Sequence, residues 1–213
     1  MAPNTSTAVM ARRKEPHDSL DYFPTPPWAT RALMEYCIDI SGATVWEPAC
    51  GDGYMARPLR ERAKKVIATD VHDYGWGHGI HDFLMPYVPD EAERADWVIT
   101  NPPFRLADQF VQRALSLVTC GVAVIVRTAF AESLQRYESL FRDRKPRIIA
   151  QFVERVPMVK GKVDEDASSA TAYCWMVWDR FNSDTRMIWI PPCRDKLEKP
   201  QDYADLSAKS ETV

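Results

Sequence analysis

The sequence has few of the features that build a disulfide framework, a zinc finger or a membrane span. Its five cysteines include no Cys-x-x-Cys pair and lie mostly in apolar surroundings, which argues against a disulfide scaffold or a zinc site. No apolar stretch approaches the length that spans a bilayer, and residues 1–18 lack the sustained apolar segment of a secretory signal. We therefore expect reduced thiols in a cytoplasmic protein without a membrane partner.

Internal repeats and low-complexity stretches are also absent, so the organisation of the chain is simple. The 213 residues, 46% of them hydrophobic, suffice for one domain with a sizeable core. We expect a flexible N-terminal arm over residues 1–18, a single domain over 19–193, and a loose, charged C-terminal tail over 194–213.

An excess of basic residues is missing as well, since the formal net charge is −3. A nucleic-acid partner therefore requires a local basic surface. Lys160 and Lys162, on either side of Gly161 in a predicted loop, are the candidates for such a surface. The loop as a whole, residues 155–169, is interpreted either as a small recognition element or as a mobile lid over the site.

Short apolar runs alternate with amphipathic stretches along the chain. This pattern predicts an α/β fold with a mostly parallel sheet, helices on both faces and ligands at the carboxyl ends of the strands. Thr25 is a candidate cap for the first helix, and a further helix is expected over residues 54–63. The predicted strands are 45–47, 66–69, 97–100, 122–126, 148–153, 173–178 and 187–190.

A glycine turn follows the first strand, with Gly51 and Gly53 where the backbone can approach a ligand closely. The full Gly-x-Gly-x-x-Gly pattern of dinucleotide folds is absent, because position 56 is Ala56. Asp70 stands at the tip of the second strand, where a carboxylate can accept hydrogen bonds from both ribose hydroxyls of a nucleoside cofactor.

Asn101-Pro102-Pro103-Phe104 follows the third strand directly. An amide, two rigid prolines and an aromatic ring suit a flat ring that carries an amino group: the ring stacks on Phe104, and the amine donates to the Asn101 oxygen and a prolyl carbonyl. The alternative is a turn that merely ends the strand, because Asn-Pro is an ordinary loop opener.

Together, these blocks resemble the S-adenosylmethionine-dependent DNA adenine-N6 methyltransferases over about residues 20–180. The tetrapeptide 101–104 is the most specific block, and the others are 22–27, 47–53, 68–71 and 81–84. The resemblance implies a Rossmann-like class I fold with seven strands and an antiparallel hairpin at one edge. It also implies a small enzyme of phage or prophage type, cytoplasmic in a bacterium or infected host, in a restriction-modification setting.

The resemblance also assigns roles to individual residues. It implies that S-adenosylmethionine is the cofactor and that no metal is needed. The cofactor-binding residues are expected to be Phe23, Thr25, Pro26, Glu47, Pro48, Ala49, Gly51, Gly53, Asp70, Val71, Asp82 and Phe83. The catalytic residues are expected to be Asn101, Pro102, Pro103 and Phe104. For Asp82 a helix-capping role stays open.

The expected activity is methyl transfer to the N6 amine of adenine in DNA, with the target base flipped out of the helix. No segment is long enough for a separate target-recognition domain. The alternatives are the same chemistry on RNA, on cytosine N4 or on a protein glutamine, and a non-catalytic nucleic-acid-binding partner subunit. The recognised sequence and the oligomeric state are left open.

Overall fold

A seven-stranded sheet forms the centre of the molecule in a computed structural model that describes residues 21–180 and 184–203. The strand order is β2-β1-β3-β4-β6-β5-β7. The strands are β1 (Thr44–Glu47), β2 (Lys65–Ala68), β3 (Trp97–Thr100), β4 (Gly121–Arg127), β5 (Ile148–Phe152), β6 (Tyr173–Asp179) and β7 (Arg186–Ile190). The predicted arm, residues 1–18, and residues 204–213 of the predicted tail lie outside the described part of the chain.

One strand, β6, runs against the others and pairs antiparallel with both β4 and β5. The remaining neighbours are parallel, including β5 and β7 at the outer edge. The predicted α/β fold with a mostly parallel sheet and an antiparallel hairpin is confirmed. The hairpin consists of β5 and β6, and β7 covers its outer side.

Helices pack on both faces of the sheet. They are α1 (Pro27–Tyr36), α2 (Ala56–Leu59), α3 (Ala107–Leu117), α4 (Leu134–Arg136), which continues as a π-turn over Tyr137–Phe141, and α5 (Arg194–Leu197). Prolines start α1 because their fixed φ suits the first turn, whereas Pro58 cannot donate to the Tyr54 carbonyl, so that α2 begins only at Ala56. The helix expected over residues 54–63 is shorter and covers Ala56–Leu59. Among the described helices, none is long and apolar enough to cross a membrane.

Alternate strand side chains feed two separate cores, one on each face of the sheet. The first core joins α1 and α2 to one face and includes Trp28, Leu33, Val45, Ile99 and Trp175. The second joins α3 to the opposite face and includes Trp46, Val98, Phe110, Val124 and Met176. Packing on both faces holds the carboxyl ends of β1, β2, β3 and β4 at one edge of the sheet, where the candidate site lies.

The prediction of a loose tail is wrong for residues 194–203. This segment forms α5 and a 3₁₀ turn over Pro200–Tyr203. The buried Asp202 carboxylate accepts hydrogen bonds from Arg31 in α1, at 2.6 Å from Nη1 and 2.8 Å from Nη2. The charges that made the segment look solvated are thus the groups that attach it to the domain.

Candidate functional site

A cavity of about 430 Å³ opens at the carboxyl ends of β1, β2 and β3. Eight residues predicted to form the site line it together: Phe23, Thr25, Glu47, Ala49, Asp70, Val71, Asn101 and Pro103. The other predicted cofactor and catalytic residues are not part of its lining: Pro26, Pro48, Gly51, Gly53, Asp82, Phe83, Pro102 and Phe104. The fold therefore brings one member or more of each motif, except the block 81–84, to a common space.

Glu47, the last residue of β1, presents a buried carboxylate at the cavity. The residue is 1% exposed, and its Oε2 atom has no hydrogen-bond partner. Burial and the neighbouring charge of Asp70 raise the pKa of Glu47 well above the ordinary value, while Arg60 opposes this shift. A cation bound in the cavity would supply the positively charged partner that this carboxylate lacks.

Thr25 contributes a second buried oxygen without a partner. The structure corrects its predicted capping role, because the N-cap of α1 is Pro26 and no side chain caps that helix end. The Thr25 hydroxyl is therefore not used by α1, and Thr25 lines the cavity.

The glycine turn after β1 is shaped by its contacts with aromatic rings. Gly51 and Gly53 have positive φ values of 49° and 81°. A Cβ atom would lie 2.4 Å from the Tyr22 ring at position 51 and 2.5 Å from the Trp76 ring at position 53. Both the backbone conformation and the packing thus require glycine here.

Asp70 follows β2 and is held by the same turn. Its Oδ2 accepts a hydrogen bond from the Gly51 N–H at 2.9 Å, and its Oδ1 accepts one from the His72 N–H at 3.1 Å. Burial raises the pKa of Asp70, although these hydrogen bonds oppose the shift. The carboxylate is therefore fixed in direction and faces the cavity.

The loop after Asp70 closes the outer edge of β2. The Ala68 N–H donates to Nδ1 of His78 at 2.9 Å, and the His78 N–H donates back to the Ala68 carbonyl at 2.7 Å. Farther along, Ile80 forms a parallel bridge with Asp70. This edge loop, residues 71–80, also carries Trp76, which covers Gly53.

Asn101 stands directly after β3 with a defined orientation. Its Nδ2 donates to the Phe23 carbonyl at 2.7 Å, which assigns the other side-chain atom as the oxygen. That Oδ1 atom is buried and has no partner. The site thus contains an amide oxygen that is ready to accept a hydrogen bond from a bound amine.

Phe104 occupies a different place from the one expected for an open stacking platform. Its backbone N–H donates to Oδ2 of Asp21 at 2.7 Å. Its ring packs at a tilt against Phe23 and Tyr173, and Cζ of Arg127 lies 4.2 Å from the ring centre. A guanidinium therefore covers one face of the ring.

Asp82 and Phe83 lie away from the cavity. Phe83 is 1% exposed and packs in the second core against Trp46 and Phe110, with ring centres 5.0 and 4.9 Å apart. Asp82 Oδ1 accepts a hydrogen bond from the Leu84 N–H at 2.9 Å, which closes a turn; no described helix begins here for it to cap. We therefore do not retain Phe83 as a contact to the cofactor's adenine, because its ring is needed to fill the core.

The segment 21–25 connects three parts of the site. Sequence reasoning did not foresee the contacts that Asp21 and Tyr22 make there. Besides the contacts of Asp21 and Phe23 with the tetrapeptide, the Tyr22 hydroxyl donates to Asp52 Oδ2 at 2.7 Å. Burial and this carboxylate raise the pKa of Tyr22. These partners lie 30 to 83 positions apart in the chain, so no local pattern reveals them.

The loop 155–169 lies against the same segment. Met158 is 7% exposed with its Sδ 3.9 Å from Nδ2 of Asn101, and the Gly161 N–H donates to the Tyr22 carbonyl at 3.0 Å. Lys162 forms an ion pair with Asp164 at 2.6 Å. The loop is thus part of the site, and contact of Lys160 and Lys162 with nucleic acid stays a prediction.

Several solved structures share this fold. A candidate RNA methyltransferase from Pyrococcus horikoshii superposes with a TM-score of 0.55 and 20% identity over 78% of this chain and 90% of its own. The modification subunit of a candidate type I restriction enzyme from Vibrio vulnificus gives 0.54 and 17% identity over 80% of this chain. A candidate hemolysin from Lactococcus lactis gives 0.51 and 13% identity over 81% of this chain and 94% of its own.

These likenesses define the class of fold, which is the Rossmann-like fold of class I methyltransferases. The chain spans about half, 47%, of the Vibrio subunit. No protein-family model matches the sequence, and a search of curated proteins finds no match.

Proposed function

We propose that this protein is a methyltransferase that uses S-adenosylmethionine to methylate the N6 amine of adenine in DNA. The observation that carries the proposal is the orientation of Asn101: its Nδ2 is bonded to the Phe23 carbonyl, and its buried Oδ1 has no partner. An amide held in this way can accept a hydrogen from an amino group that enters the cavity, as the tetrapeptide pattern predicts.

The residues at the cavity fit the proposed cofactor. Its volume of about 430 Å³ lies in the usual range of small-molecule sites. Glu47 has a buried carboxylate without a partner, which suits a cofactor with a positively charged sulfur and an ammonium group. Thr25 offers a hydroxyl for the methionine end, and Asp70 offers acceptor oxygens for the ribose.

S-Adenosylmethionine, when bound, supplies an electrophilic methyl group on a cationic sulfur. The chain's part is to orient the acceptor amine. Hydrogen bonds accepted by Asn101 Oδ1 and, as the tetrapeptide pattern implies, by the Pro102 carbonyl favour a pyramidal nitrogen whose lone pair points out of the plane of the ring. No strong base is needed, since the nitrogen becomes positively charged during transfer and can lose its proton to water.

Adenine in DNA is the favoured acceptor. The Asn-Pro-Pro-Phe tetrapeptide resembles that of DNA adenine-N6 enzymes, and the Vibrio modification subunit has the same fold. A paired base is out of reach inside the duplex, so the target nucleotide must be flipped out. Adenine in RNA is the second candidate, because the Pyrococcus candidate RNA methyltransferase is similar over most of its length.

Titration calorimetry and a transfer assay test the proposal together. The wild-type protein should bind S-adenosylmethionine and methylate DNA. Asn101→Ala should bind the cofactor normally and lose transfer by about 100-fold or more, as for the loss of one preorganised polar contact. Long-read sequencing of DNA from an expressing strain reports the modified base.

Two results would contradict the proposal. Absence of cofactor binding would leave only the non-catalytic partner reading. Wild-type transfer by Asn101→Ala would remove this side chain from the mechanism.

A further inference from the structure

Two arginines lie next to Phe104, and one of them also lines the cavity. Arg105 is exposed and lines the cavity, and Arg127 is exposed with its Cζ 4.2 Å from the centre of the Phe104 ring. They lie at the same end of the sheet because β3 and β4 are parallel neighbours, Arg127 is the last residue of β4, and Arg105 lies in the loop after β3. We call Arg105 and Arg127 the cationic rim.

The guanidinium groups of the cationic rim are not used by carboxylates. Within residues 21–180 and 184–203, neither forms an ion pair, and Arg127 contacts the Phe104 ring and the Tyr173 side chain. Other arginines of the chain do bind carboxylates, namely Arg31, Arg62, Arg142, Arg147 and Arg194. The rim therefore presents positive charge to solvent without a direct ion pair to a carboxylate of the described residues, although Asp21 lies nearby on the Phe104 N–H.

The positive charge of the rim favours an anionic partner. The cavity behind it contains the carboxylates of Glu47 and Asp70, and the whole chain carries a net charge of −3. A polyanion would be repelled by such a site unless cations stood at its entrance. Guanidinium groups match the geometry of phosphate, since they donate two parallel hydrogen bonds.

We propose that the cationic rim binds the phosphodiester groups on either side of the target nucleotide. This inference rests on the proposed function, because it takes Phe104 as the place where the flipped base stacks. Arg105 follows Phe104 in the chain and Arg127 lies over its ring, so phosphates held by the two arginines would position the intervening base beside that ring.

Arg127 has a second role in this arrangement. Its guanidinium now covers the ring face of Phe104, and a base can stack on that face only after Arg127 has moved. Stacking of a base on an aromatic ring is generally stronger than an exposed cation–π contact, so the exchange is favourable. Transfer of Arg127 from the ring to a phosphate thus uncovers Phe104 as the substrate arrives.

The test measures how salt weakens the binding of a short fluorescein-labelled DNA duplex, by fluorescence anisotropy. Each phosphate contact adds about 0.9 to the slope of log affinity against log salt concentration. Arg105→Gln and Arg127→Gln should each reduce the slope by about that amount. Between about 50 and 200 mM salt, each variant should therefore lose roughly 3.5-fold less affinity than the wild-type protein loses. Arg127→Lys should keep the slope, because it keeps the charge.

Arg186→Gln is the matched control. Arg186 is exposed and begins β7, which runs parallel to β5, so it lies at the edge of the sheet opposite to the cavity. Its substitution should leave the slope unchanged. Thermal unfolding of all variants confirms that each is folded, which their exposed positions lead us to expect.

Two outcomes separate this inference from the proposed function. If the wild-type protein methylates DNA while both glutamine variants keep its salt slope, the rim does not bind phosphate and the function stands. If the slopes fall as expected but the wild-type protein transfers no methyl group, the rim stands and the proposed function fails. An equal fall in slope for Arg186→Gln also overturns the rim.

Discussion

Thr25, Glu47 and Asn101 each have a buried side-chain oxygen without a hydrogen-bond partner, as do Thr30 and Thr100 outside the cavity lining. Leaving such atoms unpaired costs free energy, so native proteins rarely do it without a functional reason. Thr25, Glu47 and Asn101 line one cavity, and their oxygens can accept hydrogen bonds. A ligand rich in N–H groups and positive charge would satisfy them together.

Glu47 leads to a prediction about stability and pH. Its pKa is raised in the folded state, so the unfolded chain ionises first and stability falls as pH rises from the ordinary glutamate value towards the folded pKa. Glu47→Gln removes this loss, which amounts to at most about 1.4 kcal/mol per pH unit in that window. Urea unfolding of the ligand-free protein should show the variant gaining stability over wild type as pH increases.

The outcome at low pH provides the internal control. Below the ordinary glutamate value both states are protonated, and the variant should lose its advantage. A variant that is less stable than wild type at pH values above that window would show that the Glu47 carboxylate is satisfied in the folded protein.

At the scale of elements, most of the fold could be predicted from the sequence. All seven strands lie within a residue or two of the predicted segments, because buried parallel strands are short apolar runs bounded by turn residues. The ordered C-terminal segment 194–203 could not be predicted, since contacts between distant residues hold it, such as that of Asp202 with Arg31, which lie 171 positions apart.

The candidate site was predictable only in part, for a similar reason. Glu47, Asp70 and Asn101 stand at strand ends, where the topology of a parallel sheet brings side chains together. Phe83 was expected to contact the cofactor because the block 81–84 resembles a family motif, and that local pattern does not show whether the ring faces a cavity or a core. Arg127 depends on a pairing of β3 with β4 that no local pattern encodes.

Two glycines with similar backbone angles allow the role of the glycine turn to be isolated. Gly42 and Gly53 have φ values of 78° and 81°, but a Cβ atom meets nothing within 4 Å at position 42 and would lie 2.5 Å from the Trp76 ring at position 53. The free energy of unfolding of both alanine variants should fall by about 1–2 kcal/mol, because alanine is strained in a left-handed backbone conformation. Only Gly53→Ala should also weaken S-adenosylmethionine binding, because its Cβ atom would displace the glycine turn from Trp76. We expect a loss of roughly 10-fold in affinity, which corresponds to about 1.4 kcal/mol.

Calorimetric titration of the two variants checks this expectation. Equal losses of cofactor affinity would mean that backbone strain, and not the packing of Trp76 on the turn, governs binding.

For the whole molecule, the pairing of Arg31 with Asp202 connects the C-terminal segment to the first helix. The two side chains are 8% and 4% exposed, so the removal of one partner leaves a buried charge. Asp202→Ala should therefore lower the free energy of unfolding by roughly 3 kcal/mol, moderated by the remaining contact of Arg31 with Glu61.

Lys196→Ala is the comparison for this prediction in urea unfolding experiments. Lys196 is 64% exposed and pairs with Glu35, so its loss should change stability by less than about 1 kcal/mol. Similar effects of the two substitutions would mean that the C-terminal segment contributes little to the domain.

The edge loop, residues 71–80, has a consequence for self-association. Unpaired edge strands invite pairing with strands of other molecules and so promote aggregation. Here the imidazole of His78 and the backbone of Ile80 already occupy the outer side of the chain at Ala68 and Asp70. A foreign strand could add at this position only by expelling the loop together with Trp76, so protection from aggregation and the integrity of the glycine turn depend on the same ten residues.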